Sequence, residues 1–338
     1  MLEYVITVGP SSRSLPVLMQ LIEQGVTILR LNFSHGTHEW YTALFRDIAL
    51  LKAQYPHVRV LADISGPSLR IKTPQEQTIT CNQGDQLIIE QDNPEHCQLS
   101  LTEVTGQLHV GDHIIFGEGY GTATITKAEG NRLELSCEGT FVVKHKMHLH
   151  TSAEIHTTSI TEKDWQDLEF LLDKPIDIVA VSFIQDRQPI DTVRSYLAKH
   201  GKVYPIMSKI ETQSAINNLT EIVQASDMVM VARGDLALEA EITELPENQL
   251  AIIEASRAQN KPVIVATQML FSMVKNPMPT RAEINDIALA TRQGANGLML
   301  SDETTVGDYP LKAVYFLKAI SERAQESQKK AQPTALVV

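Results

Sequence analysis

The sequence predicts a (β/α)8 TIM barrel with a small all-β lid domain inserted after its third strand. Three observations carry that expectation. Eight short runs rich in Val and Ile alternate with amphipathic stretches, as in a parallel sheet built from βα units. A single long interval, between Asp63 and Thr161, breaks the alternation with strand-like runs separated by Gly-Asp turns. The 338 residues are enough for one barrel plus an insert.

The eight runs are Tyr4 to Val8, Thr27 to Leu31, Val58 to Asp63, Ile176 to Ser182, Val203 to Lys209, Met228 to Ala232, Pro262 to Thr267 and Gly297 to Leu300. Helical periodicity fills the gaps over Ser14 to Gln24, Glu162 to Leu172, Pro246 to Asn260 and Arg281 to Gln293. Ser14-Leu15-Pro16 and Thr161-Glu162-Lys163-Asp164 read as helix starts. The insert contributes Thr78 to Cys81, Gln86 to Glu90, His113 to Phe116, Thr122 to Lys127 and Arg132 to Cys137. The expected organisation is therefore barrel over 1–71, lid over 72–151, barrel over 152–327 and a loosely ordered tail over 328–338.

Composition narrows the function classes. A formal net charge of −12 without a basic stripe excludes a nucleic-acid partner from the expectation. With 43% hydrophobic and 21% charged residues, the chain is of globular composition. Met1-Leu2-Glu3-Tyr4 is no secretory leader and no apolar run is long enough for a bilayer, so the expectation is a cytoplasmic protein without a membrane partner. Cys81, Cys97 and Cys137 are odd in number and lack a CxxC pair, which suits reduced thiols.

In such a barrel the active site lies at the C-terminal strand ends. Polar residues gather there: Thr7 and Pro10 after strand 1, Arg30, Asn32 and Ser34 after strand 2, Asp63 after strand 3, Lys209 and Glu211 after strand 5, Arg233 and Asp235 after strand 6, and Thr267 after strand 7. Singly each has a structural explanation, as an ion pair or a helix cap; six strand ends in agreement point to a site. Glu211 and Asp235, from neighbouring strands, suit one hard divalent cation, Mg2+ or Mn2+. Lys209 lies two residues before Glu211 and shares its side of the strand. Metal plus lysine is what a phosphoryl group or an enolate needs as negative charge shifts. Arg30 and Arg70 add planar donors for phosphate or carboxylate oxygens.

The blocks Thr7-Val8-Gly9-Pro10-Ser11-Ser12, Arg30-Leu31-Asn32-Phe33-Ser34-His35-Gly36, Ser208-Lys209-Ile210-Glu211, Val231-Ala232-Arg233-Gly234-Asp235-Leu236, Ala266-Thr267-Gln268-Met269-Leu270 and Asn276-Pro277-Met278-Pro279-Thr280-Arg281-Ala282-Glu283 resemble, in order, the signature blocks of the pyruvate kinase family. The resemblance implies phosphoryl transfer between phosphoenolpyruvate and ADP, giving pyruvate and ATP. Lys209 would stabilise the phosphoryl group in flight, Glu211 and Asp235 would hold the divalent metal, and Thr267 would serve enolate protonation. Arg30 would contact phosphate. Asn32, Ser34, Asp63 and the Ile64 carbonyl would form a K+ site, and the turn Ala232, Arg233, Gly234, Asp235 would hold the pyruvate carboxylate. Thr7, Pro10, Asn32, His35, Arg70 and Lys144 are the implied nucleotide-side positions.

The sequence departs from that pattern in the loop after strand 3 and in the lid. The family's Asp-Thr-Lys-Gly-Pro-Glu-Ile-Arg is here Asp63-Ile64-Ser65-Gly66-Pro67-Ser68-Leu69-Arg70, so a Lys and a Glu are lost and K+ dependence is open. Asp-Asp-Gly becomes Gly117-Glu118-Gly119, and Lys-Lys-Gly-Val-Asn-Leu-Pro becomes Lys144-His145-Lys146-Met147-His148-Leu149-His150. Read as one strand, the latter puts Lys144, Lys146, His148 and His150 on one face. That face suits either phosphate or carboxylate binding or a solvated, charge-guarded edge. A metal site is disfavoured because two histidines supply too few ligands. The family's further C-terminal α/β domain has no counterpart after the last helix, so the expectation is a chain without effector control, any homo-oligomer forming through barrel faces. Three functions stay open: the glycolytic pyruvate kinase reaction, transfer from an enolpyruvate to a different acceptor, and non-catalytic binding of a small acid.

Overall fold

The structure, a computed structural model, describes residues 2–117, 119–151, 153, 155, 157 and 160–331. The chain divides into two compact units: Met1–Ser65 with Glu162–Arg233 and Leu245–Val338, and Gly66–Thr161 with Gly234–Glu244.

In the first unit eight parallel strands close into a barrel in the order 1-8-7-6-5-4-3-2. They are Glu3–Thr7, Ile28–Asn32, Arg59–Ile64, Ile178–Val181, Ile206–Ile210, Met228–Ala232, Val263–Ala266 and Gly297–Leu300. Each of the eight runs read from the sequence is therefore a barrel strand, with ends moved by at most three residues and two runs unmoved. A closed sheet covered by helices is buried on both faces, so its strands read as continuous apolar runs. The lumen is filled from all eight strands by Val5, Ile28, Leu61, Ile178, Ala180, Met207, Met228, Met230, Ile264, Ala266 and Met299. Methionines fit this irregular space because the thioether adapts its shape.

Helices Leu15–Glu23, Glu162–Leu171, Leu245–Ala258 and Arg281–Gln293 match the sequence reading closely. The last of these opens on a capping box: Thr280 Oγ1 accepts from Glu283 N, and the Glu283 carboxylate accepts from Thr280 N. The same carboxylate accepts from Ser272 N at 2.7 Å and Ser272 Oγ at 2.6 Å, tying the loop after strand 7 to the helix. The final helix, Pro310–Ala331, carries residues 328–331 in helical conformation, within the span expected to be a loose tail. The rest of that span, 332–338, lies outside the described residues, as does Glu118 of the lid.

The second unit is antiparallel. Its seven-stranded sheet runs Gln86–Glu90, Arg132–Cys137, Gly121–Glu129, His113–Phe116, Met147–Thr151, Arg70–Lys72, Gln98–Leu99, and a two-stranded sheet pairs Ile79–Cys81 with Phe141–Val143. Gly84 and Gly111, of the two Gly-Asp turns, have φ of 85° and 98°, which a side chain would strain. Ile71, Leu87, Ile89, Ile114, Phe116, Leu133 and Leu149 lie in its core with all three cysteines. Burial pushes the Cys97 and Cys137 thiols up to about 12, so both stay protonated at neutral pH.

One expectation fails here. Lys144 to His150 is not a single alternating strand. The chain turns at residues 144–146, with Lys146 at a φ of 61° and Met147 N bonded to Lys144 O, and the strand begins only at Met147. Lys144 and Lys146 are exposed in the turn, and only His148 and His150 share a strand face. A turn resets the two-residue period, so lysines before it carry no facing information.

Burial raises the Glu283 carboxyl, but its hydrogen bonds from Ser272 and Thr280 outweigh burial and hold it below the usual range. Its stabilisation is thus present above the ordinary Glu value of about 4.3 and lost as pH falls through the folded value. Glu283→Gln is expected to lower unfolding free energy by about 1 kcal/mol at pH 7, the size of a cap. Denaturant unfolding of both proteins should show the gap closing in acid; a pH-independent gap would remove the ionised carboxylate from the account.

Candidate active site

The two-residue strand period positions the site in the barrel unit. Val5, Ile28, Leu61, Ala180 and Met207 point into the lumen, so Thr7, Arg30, Asp63, Ser182 and Lys209, each two residues further on, continue the same inward rows at the C-terminal end. Glu211 continues the fifth row by one more step. The apolar filling is thus topped by a polar layer.

That layer is one network. Arg30 Nε donates to Asp63 Oδ2 at 2.6 Å and Arg30 Nη1 to Thr7 Oγ1 at 2.9 Å. Thr7 Oγ1 donates to Leu300 O at 3.1 Å, and Thr7 O accepts from Thr304 Oγ1 at 2.8 Å. Lys209 Nζ donates to Ser182 Oγ at 2.8 Å and lies 3.2 Å from Glu211 Oε2 and 3.5 Å from Asp63 Oδ1. Ser182 Oγ sits 2.7 Å from Ile64 O and 3.1 Å from Asp63 Oδ1. Glu211 Oε1 accepts from Phe183 N at 2.6 Å. Asp63 and Glu211 are 1% and 0% exposed, Lys209 and Arg30 7% and 8%. Burial alone would raise the Asp63 carboxyl, but Lys209 and Arg30 outweigh it and keep Asp63 ionised.

Ser182 and Phe183 belong to this network and carry no chemical mark of it in the sequence. Their signal is place alone: Ser182 ends the fourth run and Phe183 follows it directly. Phe183 has a φ of 52°, a left-handed conformation costing about 1–3 kcal/mol in a bulky residue, and in it the amide meets Glu211.

A second cluster forms after strands 6 and 7. Arg233 Nη1 lies 2.7 and 2.8 Å from the two Asp286 oxygens, and Nη2 donates to Thr267 O at 2.7 Å. Its guanidinium is thus committed to scaffold. Thr267 and Gln268 have φ of 70° and 52°, a second stretch of strained backbone, and Thr267 Oγ1 donates to Ala266 O at 2.6 Å. Ala232 is buried at the end of strand 6 and the Arg233–Glu239 helix follows directly, so Gly234 and Asp235 occupy its first turn. On the strand 2 loop, Ser34 N donates to Asn32 Oδ1 at 3.2 Å, and Tyr41 Oη lies 2.5 Å from Asn32 O and 2.7 Å from His35 O. Pro10 and His35 are exposed. Ser65, in place of the expected lysine, is buried with no partner for Oγ among the described residues.

The lid unit holds Arg70 and Asp235. Arg70 Nη1 donates to Lys146 O at 2.9 Å, and Nε is 3.4 Å from Ser68 Oγ. Burial lowers the Arg70 pKa and the Asp235 carboxylate opposes that shift. Arg70 pairs with His148 across the strands, which puts both on the face opposite Ile71, Met147 and Leu149. His150, 3% exposed, has Nδ1 2.7 Å from Glu239 Oε1.

A (β/α)8 barrel with buried, oppositely charged groups at its C-terminal strand ends has the architecture of an enzyme of that fold. The family described as "Pyruvate kinase, barrel domain" matches residues 2–314. The chain is 34% identical to the pyruvate kinase of Bacillus licheniformis over 332 residues, 96% of this chain and 57% of that protein. It is 34% identical to plastidial pyruvate kinase 3 of Arabidopsis thaliana over 343 residues, 96% and 58% of the two chains. It is 35% identical to the pyruvate kinase of Mycobacterium intracellulare over 335 residues, 97% and 71% of the two. The chain belongs to the pyruvate kinase family, and it spans a little over half the length of the first two of these relatives. Among the described residues no helix is long and apolar enough to cross a membrane.

The charge network makes its own stability prediction. Removing one acid from a buried, matched set leaves a cation uncompensated, at a cost of about 3–5 kcal/mol. Asp63→Ala is expected to lose that much in urea unfolding, whereas Ser182→Ala, which removes neutral hydrogen bonds, should lose about 1 kcal/mol. Equal losses would mean that the network is held by packing rather than by charge balance.

Proposed function

We propose that the chain is a divalent-metal phosphotransferase acting between phosphoenolpyruvate and a phosphoryl acceptor, through the enolate of pyruvate. The observation that carries this reading is Lys209, a nearly buried ammonium held between Asp63, Ser182 and Glu211 at the C-terminal end of the barrel. A pre-oriented cation in a low-dielectric site stabilises charge on a transferring phosphoryl group without reorganising. Asp63 and Ser182 fix its position, so a substrate oxygen meets an ammonium already aimed.

The assigned ligand sets fit their ions by chemistry. Glu211 and Asp235 are carboxylates, the donors a hard divalent ion takes. When bound, that ion supplies Lewis-acid stabilisation to enolate and phosphoryl oxygens. Asn32, Ser34, Asp63 and the Ile64 carbonyl form an all-oxygen set suited to K+. The carboxylate of the small acid is assigned to backbone N–H groups of the Ala232, Arg233, Gly234, Asp235 turn, a role supported by the engagement of the Arg233 guanidinium with Asp286. Thr267 is assigned to proton delivery at the enolate carbon and Arg30 to contact with phosphate.

ADP is the acceptor that the family resemblance favours, and a different acceptor is the second reading. The observation behind the latter is the lost charge at Ser65 and Ser68, with Arg70 alone retained in that loop. Three titrations test the set. Mn2+ affinity should fall at least about tenfold in Glu211→Ala and in Asp235→Ala, while Lys209→Met should bind Mn2+ and lose phosphoryl transfer followed by phosphorus NMR. Oxalate, a flat enolpyruvate mimic, should bind with Mn2+, and ADP should bind weakly. Brisk pyruvate formation from phosphoenolpyruvate and ADP would overturn the second reading, and failure of oxalate to bind would overturn both.

Proton delivery has a separate readout. Thr267→Ala is expected to slow exchange of pyruvate methyl protons with solvent more than it weakens pyruvate binding. Equal exchange rates would leave Thr267 as a backbone-positioning residue.

A further inference from the structure

We infer that His148, His150 and Asp235 form a binding site for a divalent transition-metal ion of borderline softness, such as Zn2+ or Co2+. Asp235 is also assigned to the divalent cation above, but this inference stands on the lid unit's own geometry. The three residues each present a ligand atom, and these atoms lie within 4.8 Å of one another. Tetrahedral ligands ~2.0–2.2 Å from a common ion are about 3.3–3.6 Å apart, so a shift of each ligand atom by less than about an ångström closes the set.

Local structure explains the convergence. His148 and His150 are two residues apart on the Met147–Thr151 strand and therefore project from one face. Their ring centroids are 6.4 Å apart at 30°. Asp235 comes from the first turn of the Arg233–Glu239 helix, and Glu239, one turn later, reaches the same cluster. Glu239 holds His150 through Nδ1 at 2.7 Å, the carboxylate-to-imidazole contact that fixes tautomer and ring orientation behind a metal ligand. The metal bond of His150 then falls to Nε2.

The donor set decides the ion. Two neutral imidazoles and one carboxylate favour Zn2+, Co2+, Ni2+ or Fe2+ over Mg2+, which takes oxygen ligands. Three protein ligands leave at least one coordination position for water or a substrate oxygen. His150 is buried whereas His148 and Asp235 are half-buried, as an ion with an open position requires. Arg70, on the same sheet face and in the field of Asp235, adds a positive charge that lowers affinity for a cation and raises it for an anion bound on the ion.

The test is a Co2+ titration of the whole chain, read by visible absorption and calorimetry. The parent is expected to bind one equivalent with the absorption of imidazole-ligated Co2+. His148→Ala and His150→Ala should each weaken binding more than about tenfold and change the spectrum, and Glu239→Gln should weaken it about tenfold through the mispositioned ring. Glu211→Ala should retain Co2+ binding although it loses Mn2+, which separates this site from the phosphotransferase assignment. His148→Gln, closer in volume, guards against loss of fold in the alanine variant, with circular dichroism on every protein. Co2+ affinity and spectrum unchanged in both histidine variants would overturn the site, as would a parent that binds no Co2+. Loss of Co2+ in Glu211→Ala alone would overturn it in favour of the carboxylate pair.

Discussion

A closed parallel barrel has a lumen, and whatever projects into it must be either apolar or electrically matched. Everything at the candidate site follows from how this sequence meets that constraint. Along strands 1 to 5 the inward rows run apolar up to Val5, Ile28, Leu61, Ala180 and Met207, then change to Thr7, Arg30, Asp63, Ser182 and Lys209 at the next inward step. Two cations and two acids, Arg30 and Lys209 with Asp63 and Glu211, thus enter a buried layer together. Isolated, each would cost several kcal/mol of desolvation; as a matched set with hydrogen bonds to the remaining lone pairs they are tolerated. Burial of such a set contributes little net stability, but it leaves the Lys209 ammonium preoriented in a low-dielectric environment, the property on which its proposed role rests.

Strain is placed to serve the same layer. Phe183 adopts a left-handed backbone, and its amide meets Glu211; Thr267 and Gln268 adopt one beside the Arg233 guanidinium, which donates to the Thr267 carbonyl. Arg233 is anchored in turn by Asp286, from the helix whose start is tied to the strand 7 loop through Glu283. The loops after strands 6 and 7 are therefore braced from the helix layer, away from the lumen, so the polar tips owe their position to bonds outside the site.

The barrel and its polar tips were legible in the sequence because both depend on a local period. Runs of Val and Ile mark buried strands, and the residues just past each run mark the strand ends, which is why Thr7, Arg30, Asp63, Lys209 and Glu211 could be named. Ser182, Phe183, Glu239 and Asp286 were not legible. Serine at a strand end is chemically unremarkable in sequence, and the partners of Glu239 and Asp286 are far away along the chain. The lid failed differently. The Lys144 to His150 alternation predicts one strand face, but the left-handed Lys146 breaks the period, and sequence alternation carries no mark of that turn.

The same long-range blindness explains the metal question. Two histidines on a strand lacked a third ligand in the sequence, and the fold supplies Asp235 from a helix distant in the chain. The two carboxylates assigned to a hard cation are unequal in their surroundings. Glu211 gives one oxygen to the Phe183 amide and the other to the field of Lys209 at 3.2 Å, both of which draw electron density away from a cation. Asp235 has the nitrogens of two imidazoles for neighbours, with Arg70 as the nearby cation. An ion choosing by charge density favours oxygen donors, whereas an ion ordered by the Irving–Williams series favours the imidazoles. Replacing the family's Asn and Pro by His148 and His150 therefore shifts the chemistry around Asp235 from hard toward borderline, while the loop after strand 3 has lost the lysine and glutamate expected near phosphate. The loop change removes one cation and one anion and leaves the net charge unaltered, whereas the two imidazoles give the lid donors through which a bound metal would hold a small anion.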